Sequence, residues 1–319
     1  MAKLYSARRR NGGDPALISV VIPLYNHSRF IAEAVESVLA QGSIVREVIV
    51  VDDGSHDESA TIMRRIEQRD SRIIFWSQPN LGAHAAINAG LWRATGDILA
   101  ILNSDDVYAA ARLARLAGAL DADASADITA SGISFINAAG KPVANPWYED
   151  ALRFFKTCAD MSLALINGNF LMTTSNFLFR RRLLDEIGYF APLRYTHDLD
   201  FALRALAKSK RFVLIEEPLL RYRIHENNTI GENHGEVRLE WAIVTAAFLA
   251  NILHRGALDW GYARAVEGIL ERHNLTLPVH LSMIYSGQRG NETLEHSPLL
   301  LDKAFRAFLV ESLQSRSCS

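Results

Sequence analysis

The chain has 319 residues, of which 49% are hydrophobic and 22% are charged, and its formal net charge is -2. These values are typical of an ordinary globular protein with room for one large core. The lack of a basic excess argues against a general nucleic-acid binder. The two cysteines, Cys158 and Cys318, form no CxxC pair, which argues against a cysteine-based zinc or redox site and fits a reducing, cytosolic setting.

Two segments bear on targeting and membrane contact. Residues 1–15 are polar and include Arg8, Arg9 and Arg10, which predicts a disordered basic tail and not a secretory signal. The longest apolar run, Trp241–Leu253, is shorter than the roughly 18 residues needed to span a bilayer. We expect this run to be a helix packed on the core, and peripheral membrane docking is the alternative.

The first half of the chain alternates apolar strands with helices. Strands are predicted at Leu17–Ile22, Val45–Val51, Arg72–Trp76 and Ile98–Leu102. Helices are predicted at Ser28–Gln41, Ser55–Arg69 and Gly82–Ala94. Ser28 is the expected N-cap of the first helix, and Ser55 with Glu58 fits a capping box for the second. This alternation predicts a parallel sheet covered by helices on both faces.

Beyond Tyr108 the pattern becomes mixed. Helices are predicted up to about Leu120 and at His197–Lys208. Further strands are predicted at Ile128–Phe135, Ser175–Arg180, Arg211–Ile215 and, as an edge strand, Leu219–Ile224. From Glu236 to about Ser315 the pattern is helical. We therefore expect an α/β domain over residues 16–235 and a helical extension over residues 236–319.

Polar residues follow three of the predicted strands. Pro23–Asn26, Asp52–Ser55 and Asn103–Asp106 each stand where a strand ends, and in parallel sheets ligands bind beyond the carboxyl ends of the strands. Adjacent carboxylates such as Asp105 and Asp106 repel each other unless a cation lies beside them. A hard divalent ion that bridges carboxylates to phosphates is one explanation; a solvated loop at a helix N-terminus is the other.

Further acids and one histidine are candidate site residues. Asp52 and Asp53 could hydrogen-bond a nucleobase or ribose, or they could be an acidic loop before a helix. Asp198 and Asp200 are two residues apart on a helix, so only one of them is expected to face the cleft. His225 ends the last predicted strand, where a lone histidine is a ligand or a structural residue.

Common nucleotide and hydrolase motifs are absent from the sequence. No GxxxxGK[ST], GxGxxG, GxSxG or HExxH pattern occurs in the positions that would give it meaning. Two polar clusters, Asn167–Asn169 and Thr173–Asn176, precede a predicted strand. They could face a second substrate, or they could be turn residues.

The motifs taken together resemble family 2 glycosyltransferases of the bacterial polysaccharide-biosynthesis type. The matching segments, which span about two-thirds of the chain, are Ser19–Gln41, Glu47–Ser59, Asn80–Tyr108, Leu183–Phe190, Thr196–Leu206 and Pro218–Ile230. The resemblance implies an α/β GT-A (Rossmann-like) fold, with a mostly parallel sheet flanked by helices. The C-terminal helical extension, predicted from the sequence pattern, lies outside the matching segments.

The resemblance also implies roles for particular residues. The nucleotide-sugar is expected to contact Pro23, Tyr25, Asp52, Asp53, Asn80 and Asp105. The divalent cation, Mn²⁺ or Mg²⁺, is expected on Asp106 and His225, with Asp105 contacting the ribose or sharing the ion. The general base is expected to be Asp198. The chain departs from the family pattern at Asn103, where aspartate is common, and at His197, where glutamate is usual.

The expected function is therefore that of a metal-dependent, inverting glycosyltransferase. It would move a sugar from a nucleotide-diphosphate donor to a glycan or lipid-linked acceptor, in surface-polysaccharide synthesis on the cytoplasmic side of the plasma membrane. The C-terminal helices could contact the membrane or form a homo-oligomer. Alternatives are a sugar nucleotidyltransferase, whose glycine-rich basic turn is missing after the first strand, and a catalytically silent nucleotide-sugar binding module.

Overall fold

The computed structural model describes residues 17–226, 228, 231–256, 259–288 and 302–314. The predicted disordered tail, residues 1–15, lies outside the described residues. The described strands are β1 Ile18–Leu24, β2 Val45–Asp52, β3 Ile73–Ser77, β4 Ile98–Ile101, β5 Val107–Tyr108, β6 Ala126–Asn137, β7 Pro142–Val143, β8 Leu178–Arg180 and β9 Arg211–Ile224.

These strands form one mixed sheet. Within the described residues its order is β3-β2-β1-β4-β8-β6-β9-β5, and β7 pairs with β6. The first four strands in this order are parallel, as the strand–helix alternation predicts. In the second half β8 is antiparallel to β4 and to β6, whereas β6 and β9 run parallel. The parallel arrangement thus holds for the first half of the domain, and the second half is mixed.

Helices cover both faces of the sheet and form the C-terminal region. Their bounds are α1 Ile31–Leu39, α2 Ser59–Glu67, α3 Ala83–Arg93, α4 Arg112–Ala122, α5 Pro146–Cys158, α6 Met161–Asn167, α7 Arg182–Ile187, α8 His197–Ala207, α9 His234–His254, α10 Trp260–Arg272, α11 Thr276–Gln288 and α12 Lys303–Gln314. The predicted α/β architecture with a helical C-terminal region is confirmed.

Both predicted helix caps are wrong. Helix α1 begins only at Ile31, and the backbone N–H of Ser28 donates to Asp57 Oδ2 over 3.0 Å. Helix α2 begins at Ser59, and Ser55 Oγ accepts a hydrogen bond from the backbone N–H of Asn26 over 2.9 Å. These polar side chains tie the loops after β1 and β2 together, a long-range use that local spacing does not reveal.

The strands of the second half also differ from their predicted bounds. The segments predicted at Arg211–Ile215 and Leu219–Ile224 are one strand, β9, with an irregular register opposite Gly132. The second segment is not an edge, because β5 pairs with it. The segment Thr174–Asn176 is a short 3-10 turn, so that only Leu178–Arg180 pairs as β8.

Two apolar layers hold the sheet between them. Along β1, Val20 and Ile22 pack into one layer, and Val21 packs into the other. This division follows from the period of two in a strand, which sends successive side chains to opposite faces. Because both faces of β1 are covered, its sequence is apolar without interruption, and each fully buried Ile or Val contributes about 1.5–3 kcal/mol.

Helix α9 belongs to the core of the domain. It is the one described helix that is long and apolar enough to cross a membrane by length and composition, yet 56% of its apolar window is buried inside the protein. Leu239, Ile243 and Phe248 share an apolar layer with residues of α8 such as Phe201. The prediction that the run Trp241–Leu253 packs on the core is confirmed, whereas the domain boundary at residue 235 stays a prediction.

Candidate active site

The carboxyl ends of the parallel strands lie side by side. Leu24 at the end of β1 pairs with Asp52 at the end of β2, and the backbone N–H of Leu102, just beyond β4, donates to Val21 O. The loops that follow these strands therefore open on one edge of the sheet. The end of β9 reaches the same edge, because His225 contacts Asp105.

The acid pair after β2 is buried and holds loops in place. Asp53 is 3% exposed; its Oδ1 accepts from Gln78 Nε2 and the backbone N–H of Leu81, and its Oδ2 accepts from the N–H of Gly82 at 2.8 Å. Position 82 requires a glycine, because its φ is +93° and a Cβ there would meet the His84 ring. Asp53 thereby fixes the turn that starts α3, in addition to any contact with a nucleotide.

Other predicted donor contacts surround this turn. Tyr25 is 41% exposed, and its ring meets the ring of His56 edge-on at 6.5 Å. Asn80 is exposed and Pro23 is buried in β1. Asp52 Oδ1 accepts from the N–H of Ser55. An open aromatic surface beside fixed backbone groups can receive a flat base, and the donor roles of these residues stay predictions.

Hydrogen bonds from the segment Thr173–Asn176 hold the loop after β4 in place. Asn103 Nδ2 donates to Thr173 Oγ1, and Asn103 Oδ1 accepts from Thr174 Oγ1. All four residues of this segment are at most 5% exposed. Thr173, Thr174 and Ser175 hydrogen-bond the loop, whereas Asn176 hydrogen-bonds Ser131 and Arg112, so all four side chains are engaged inside the protein. The amide of Asn103 donates to one of these hydroxyls and accepts from the other, whereas an aspartate carboxylate at this position could only accept.

Asp105 and Asp106 are neighbours in sequence with different surroundings. Asp106 Oδ2 accepts from Ser175 Oγ at 2.6 Å, and its Oδ1 accepts from the backbone N–H of Arg223 at 3.0 Å. Burial, and then the charge of Asp105, raises the pKa of Asp106 well above its ordinary value. Burial also opposes ionisation of Asp105, but the hydrogen bond with His225 and the charges of His27 and His225 hold its pKa below the ordinary value.

A fully buried arginine, which the sequence did not single out, fixes this loop. Arg223 is 1% exposed; its Nε donates to the backbone O of Asp105 at 2.8 Å, and its Nη2 donates to Glu33 Oε2 at 2.5 Å. The guanidinium also lies over the ring of Phe30. Arg223 thus joins β9, α1 and the Asp105 loop, and the alternation of basic and apolar residues in β9 was its signal in the sequence.

Asp105 also belongs to a cluster that can hold a cation. One carboxylate oxygen of Asp105 and one ring nitrogen each of His27 and His225 lie within 4.8 Å of one another. His225 Nε2 is 3.0 Å from Asp105 Oδ2, and two adjacent ligands of an octahedral ion with bonds of about 2.1 Å are about 3.0 Å apart. Imidazole and carboxylate together suit Mn²⁺ and its neighbours in the first transition series, so these residues fit the expected metal.

Asp198 stands at the start of α8 and is 7% exposed. Asn169 Nδ2 donates to Asp198 Oδ2 at 2.9 Å, and burial raises the pKa of Asp198 to about 7. A carboxyl group with such a pKa can accept a proton near neutral pH. Asp200 forms an ion pair with Arg204 one turn further on, whereas Asp198 is hydrogen-bonded by Asn169; that only one of the two acids faces the cleft stays a prediction.

Two further groups shape the surroundings of Asp198. Tyr222 lies within electrostatic reach of Asp106, Asp105 and Asp198, since burial and then these three charges raise its pKa. His197 stands where the family resemblance implies a glutamate, and burial followed by the nearby His84 lowers its pKa to about 4, which favours the neutral ring. Within the described residues, His197 Nδ1 and Asn169 Oδ1 are buried without a hydrogen-bond partner, so both atoms are available to a bound molecule.

Comparison with known proteins gives this geometry a context. The model of glycosyl transferase family 2 matches residues 19–188. An uncharacterised glycosyltransferase, MJ1057 of Methanocaldococcus jannaschii, is 29% identical over 66% of this chain and 72% of its own length. EpsJ of Bacillus subtilis, also described as an uncharacterised glycosyltransferase, is 29% identical over 66% of this chain and 62% of its own length.

Solved structures show the same fold. Staphylococcus aureus TarS 1-349 in complex with UDP-GlcNAc has a TM-score of 0.57 and 18% identity, covering 82% of this chain and 81% of that one. The mannosyltransferase PcManGT from Pyrobaculum calidifontis, in complex with GDP-Man and Mn²⁺, has a TM-score of 0.58 and 18% identity, covering 94% and 87%. The predicted GT-A fold is confirmed, and the chain belongs to glycosyl transferase family 2 and is a glycosyltransferase.

Proposed function

We propose that this glycosyltransferase is metal-dependent and inverting, and that it moves a sugar from a nucleotide-diphosphate donor to the hydroxyl of a glycan or lipid-linked acceptor. The observation that carries the proposal is that the domain holds two unlike groups suited to the two halves of a transfer. The cluster of Asp105, His27 and His225 can hold a cation, and Asp198 has a pKa suited to a base. After burial, the charges of Asp106, Asp105 and Asp198 raise the pKa of Tyr222.

The donor would lie along the edge formed by the strand ends. Tyr25, Asp52, Asp53, Asn80 and Asp105 are the proposed contacts for its base and ribose, with Pro23 shaping the turn. The complexes of TarS with UDP-GlcNAc and of PcManGT with GDP-Man support a nucleotide-sugar donor for this fold. Which base and sugar this chain selects depends on the loops around Tyr25 and is left to the experiment.

A divalent cation held by Asp105 and His225 would offset the diphosphate charge and make the nucleotide a better leaving group. Asp105 suits this role because it stays ionised. Asp106 also remains a candidate ligand, although Ser175 and Arg223 already donate to its two oxygens. The backbone of Arg223 and the hydroxyl of Ser175 in any case hold the loop that presents Asp105.

Asp198 would act as the general base. Its carboxylate accepts the proton of the acceptor hydroxyl while the acceptor oxygen forms a bond to the anomeric carbon. On the opposite face the bond from that carbon to the diphosphate oxygen breaks, and its electron pair leaves with the nucleoside diphosphate. One such displacement inverts the anomeric centre. The amide of Asn169, which donates to Asp198 Oδ2, keeps the carboxylate oriented and favours its ionised form.

The proposal is tested with a donor panel on the purified chain. Binding of UDP-, GDP- and dTDP-sugars is measured calorimetrically with Mn²⁺ and with EDTA, and sugar release or transfer is followed by chromatography. We expect one nucleotide class to bind in the presence of metal, and transfer to fail in Asp198→Asn but not in Asp150→Asn, a control at an exposed carboxylate. Metal-independent binding would contradict the cation role, and binding without turnover would indicate a silent nucleotide-sugar binding module.

The acceptor, the cellular location and the oligomeric state stay predictions. Asn169, whose amide donates to Asp198, also has a buried Oδ1 without a hydrogen-bond partner among the described residues, which supports an acceptor or donor hydroxyl at that place. Surface-polysaccharide synthesis at the cytoplasmic face of the membrane, with contact or self-association through α9–α12, is consistent with the family. Fractionation of cells that express the full chain, before and after a high-salt wash, tests peripheral membrane contact.

A further inference from the structure

His27 belongs to the cation cluster with Asp105 and His225, although no sequence motif predicted it. It lies in the turn after β1, directly after Asn26, which has a left-handed φ of 52°. The backbone N–H of His27 donates to Ser59 Oγ at 3.0 Å. Asn26 Oδ1 accepts from the N–H of His56 at 2.8 Å. The turn that carries His27 is therefore fastened to the start of α2 and to the loop before it by the protein's own hydrogen bonds.

The ring of His27 is oriented by the loop that carries Asp105. Its Nδ1 is 2.8 Å from Ser104 Oγ, and with Nδ1 in this hydrogen bond, Nε2 is the nitrogen that can face a cation. Metal-binding histidines commonly use the second ring nitrogen in such a bond, which fixes the tautomer and the ring orientation. The centroid of the His27 ring is 5.5 Å from the centroid of the His225 ring and 5.9 Å from that of the Phe30 ring, and both pairs meet edge-on.

We propose that His27 is a third protein ligand of the cation held by Asp105 and His225, and that it gives the site a preference for Mn²⁺ over Mg²⁺. The inference rests on the proposed function and specifies its metal. Mg²⁺ prefers an all-oxygen shell and keeps its waters, whereas first-row transition ions gain affinity from each imidazole. Two imidazoles and one carboxylate therefore discriminate between these ions more strongly than one imidazole does.

The site also has an entrance. A cavity of about 290 Å³ is bordered by His27, Arg29, Phe30, Asp57 and His225, so both histidines can be reached from solvent. The side chains of His225 and Asp105 are 5% and 12% exposed, which limits hydration of the ligands without closing the path. A structural histidine would need only the bond to Ser104, whereas this one also converges on two other potential ligands within 4.8 Å.

The test is Mn²⁺ binding by the full chain, measured from the loss of the free-ion EPR signal, first with the metal alone and then with saturating UDP or GDP. His27→Asn keeps an amide that can replace Nδ1 in the bond to Ser104 but offers no group in place of Nε2. Because loss of a residue that only supports a metal ligand already costs about 10–100-fold, we expect this variant to bind Mn²⁺ at least about 100-fold more weakly. Its affinity for Mg²⁺, measured by competition, should stay within about threefold of the wild type. His254→Asn, which changes an exposed imidazole at the end of α9, is the control.

The outcomes separate this inference from the proposed function. If Asp105→Asn and His225→Asn abolish Mn²⁺ binding and His27→Asn does not change it, His27 is not a ligand and the proposed function stands. If the wild type binds no Mn²⁺ under any of these conditions, both fail. Should His27→Asn not fold, pulsed EPR of the wild type decides, because nitrogen couplings from two imidazoles are expected and couplings from one would overturn the assignment.

Discussion

Two regions of the candidate site shift the pKa of a buried aspartate in opposite directions. At the ends of β4 and β9, Asp105 is flanked by His27 and His225, and its pKa is held below the ordinary value despite burial. At the start of α8, Asp198 is also buried, and the described groups that hydrogen-bond it are amides, those of Asn169 and Leu199 among them; burial raises its pKa to about 7. Burial is common to both carboxyl groups, so their neighbours set the difference.

The contrast matches the chemistry that each region is proposed to perform. A cation ligand must remain ionised at every working pH, which requires partners that can carry positive charge. A general base must take a proton and release it again, which works best with a pKa near the working pH. The two regions are therefore suited to different halves of one transfer reaction, and the following four experiments test this division.

The largest expected effect is that of Asp198→Asn on turnover. The amide cannot accept the proton of the acceptor hydroxyl, so kcat should fall about 10²–10⁴-fold. Donor affinity, measured by calorimetry with Mn²⁺, should stay within about threefold, because the proposed donor contacts lie at the other region. A collapse of donor affinity with unchanged kcat would assign Asp198 to binding. Asp150→Asn controls for loss of a surface carboxylate.

The next effect separates the two adjacent aspartates. Asp105→Asn should weaken Mn²⁺-dependent donor binding at least about 100-fold, because even residues that only support a metal ligand are worth 10–100-fold. Asp106→Asn should change it much less, since the oxygens of Asp106 face Ser175 and Arg223. The two variants are matched in size and charge. The reverse ranking, measured in the same titration, would make Asp106 the metal ligand, as the family resemblance implied.

The pH dependence of turnover should report Asp198. The base form is required, and the pKa is about 7, so kcat is expected to fall about tenfold per pH unit below that value and to level off above it. The measurement is kcat at saturating donor and acceptor from pH 5 to 9. A profile that is flat between pH 5 and 7 would mean that the base is a carboxylate with an ordinary pKa or another group.

The smallest effect is that of Asn169→Ala on the same profile. Loss of the amide donor removes a hydrogen bond that favours the ionised form of Asp198, so the acid limb should move to higher pH by up to about one unit. At pH 7 kcat should fall several-fold and should recover at pH 9. A loss of equal size at every pH would indicate a role in acceptor binding or folding. Asn167→Ala, at an asparagine that accepts from Arg272, is the control.

Much of the architecture was predictable because it depends on short-range patterns. The apolar runs of β1 and β2 are buried on both faces, and an uninterrupted run of this length between turn residues predicts such a strand. The motif order identified the family, which the family model confirms over residues 19–188. The helix caps at Ser28 and Ser55 failed, because each residue's actual partner, Asp57 or Asn26, lies about 29 residues away along the chain.

The sequence by itself determined the fold class, the edge of the sheet where polar residues gather, and the presence of Asp105, Asp198 and His225 among the candidates. Only the tertiary structure brought His27 to Asp105, Asn169 to Asp198 and Arg223 beneath the loop after β4. The physical reason is that periodicity records which side chains avoid water. The pKa of a carboxyl group depends instead on which charges and donors meet it in three dimensions, and those contacts join residues far apart in the chain.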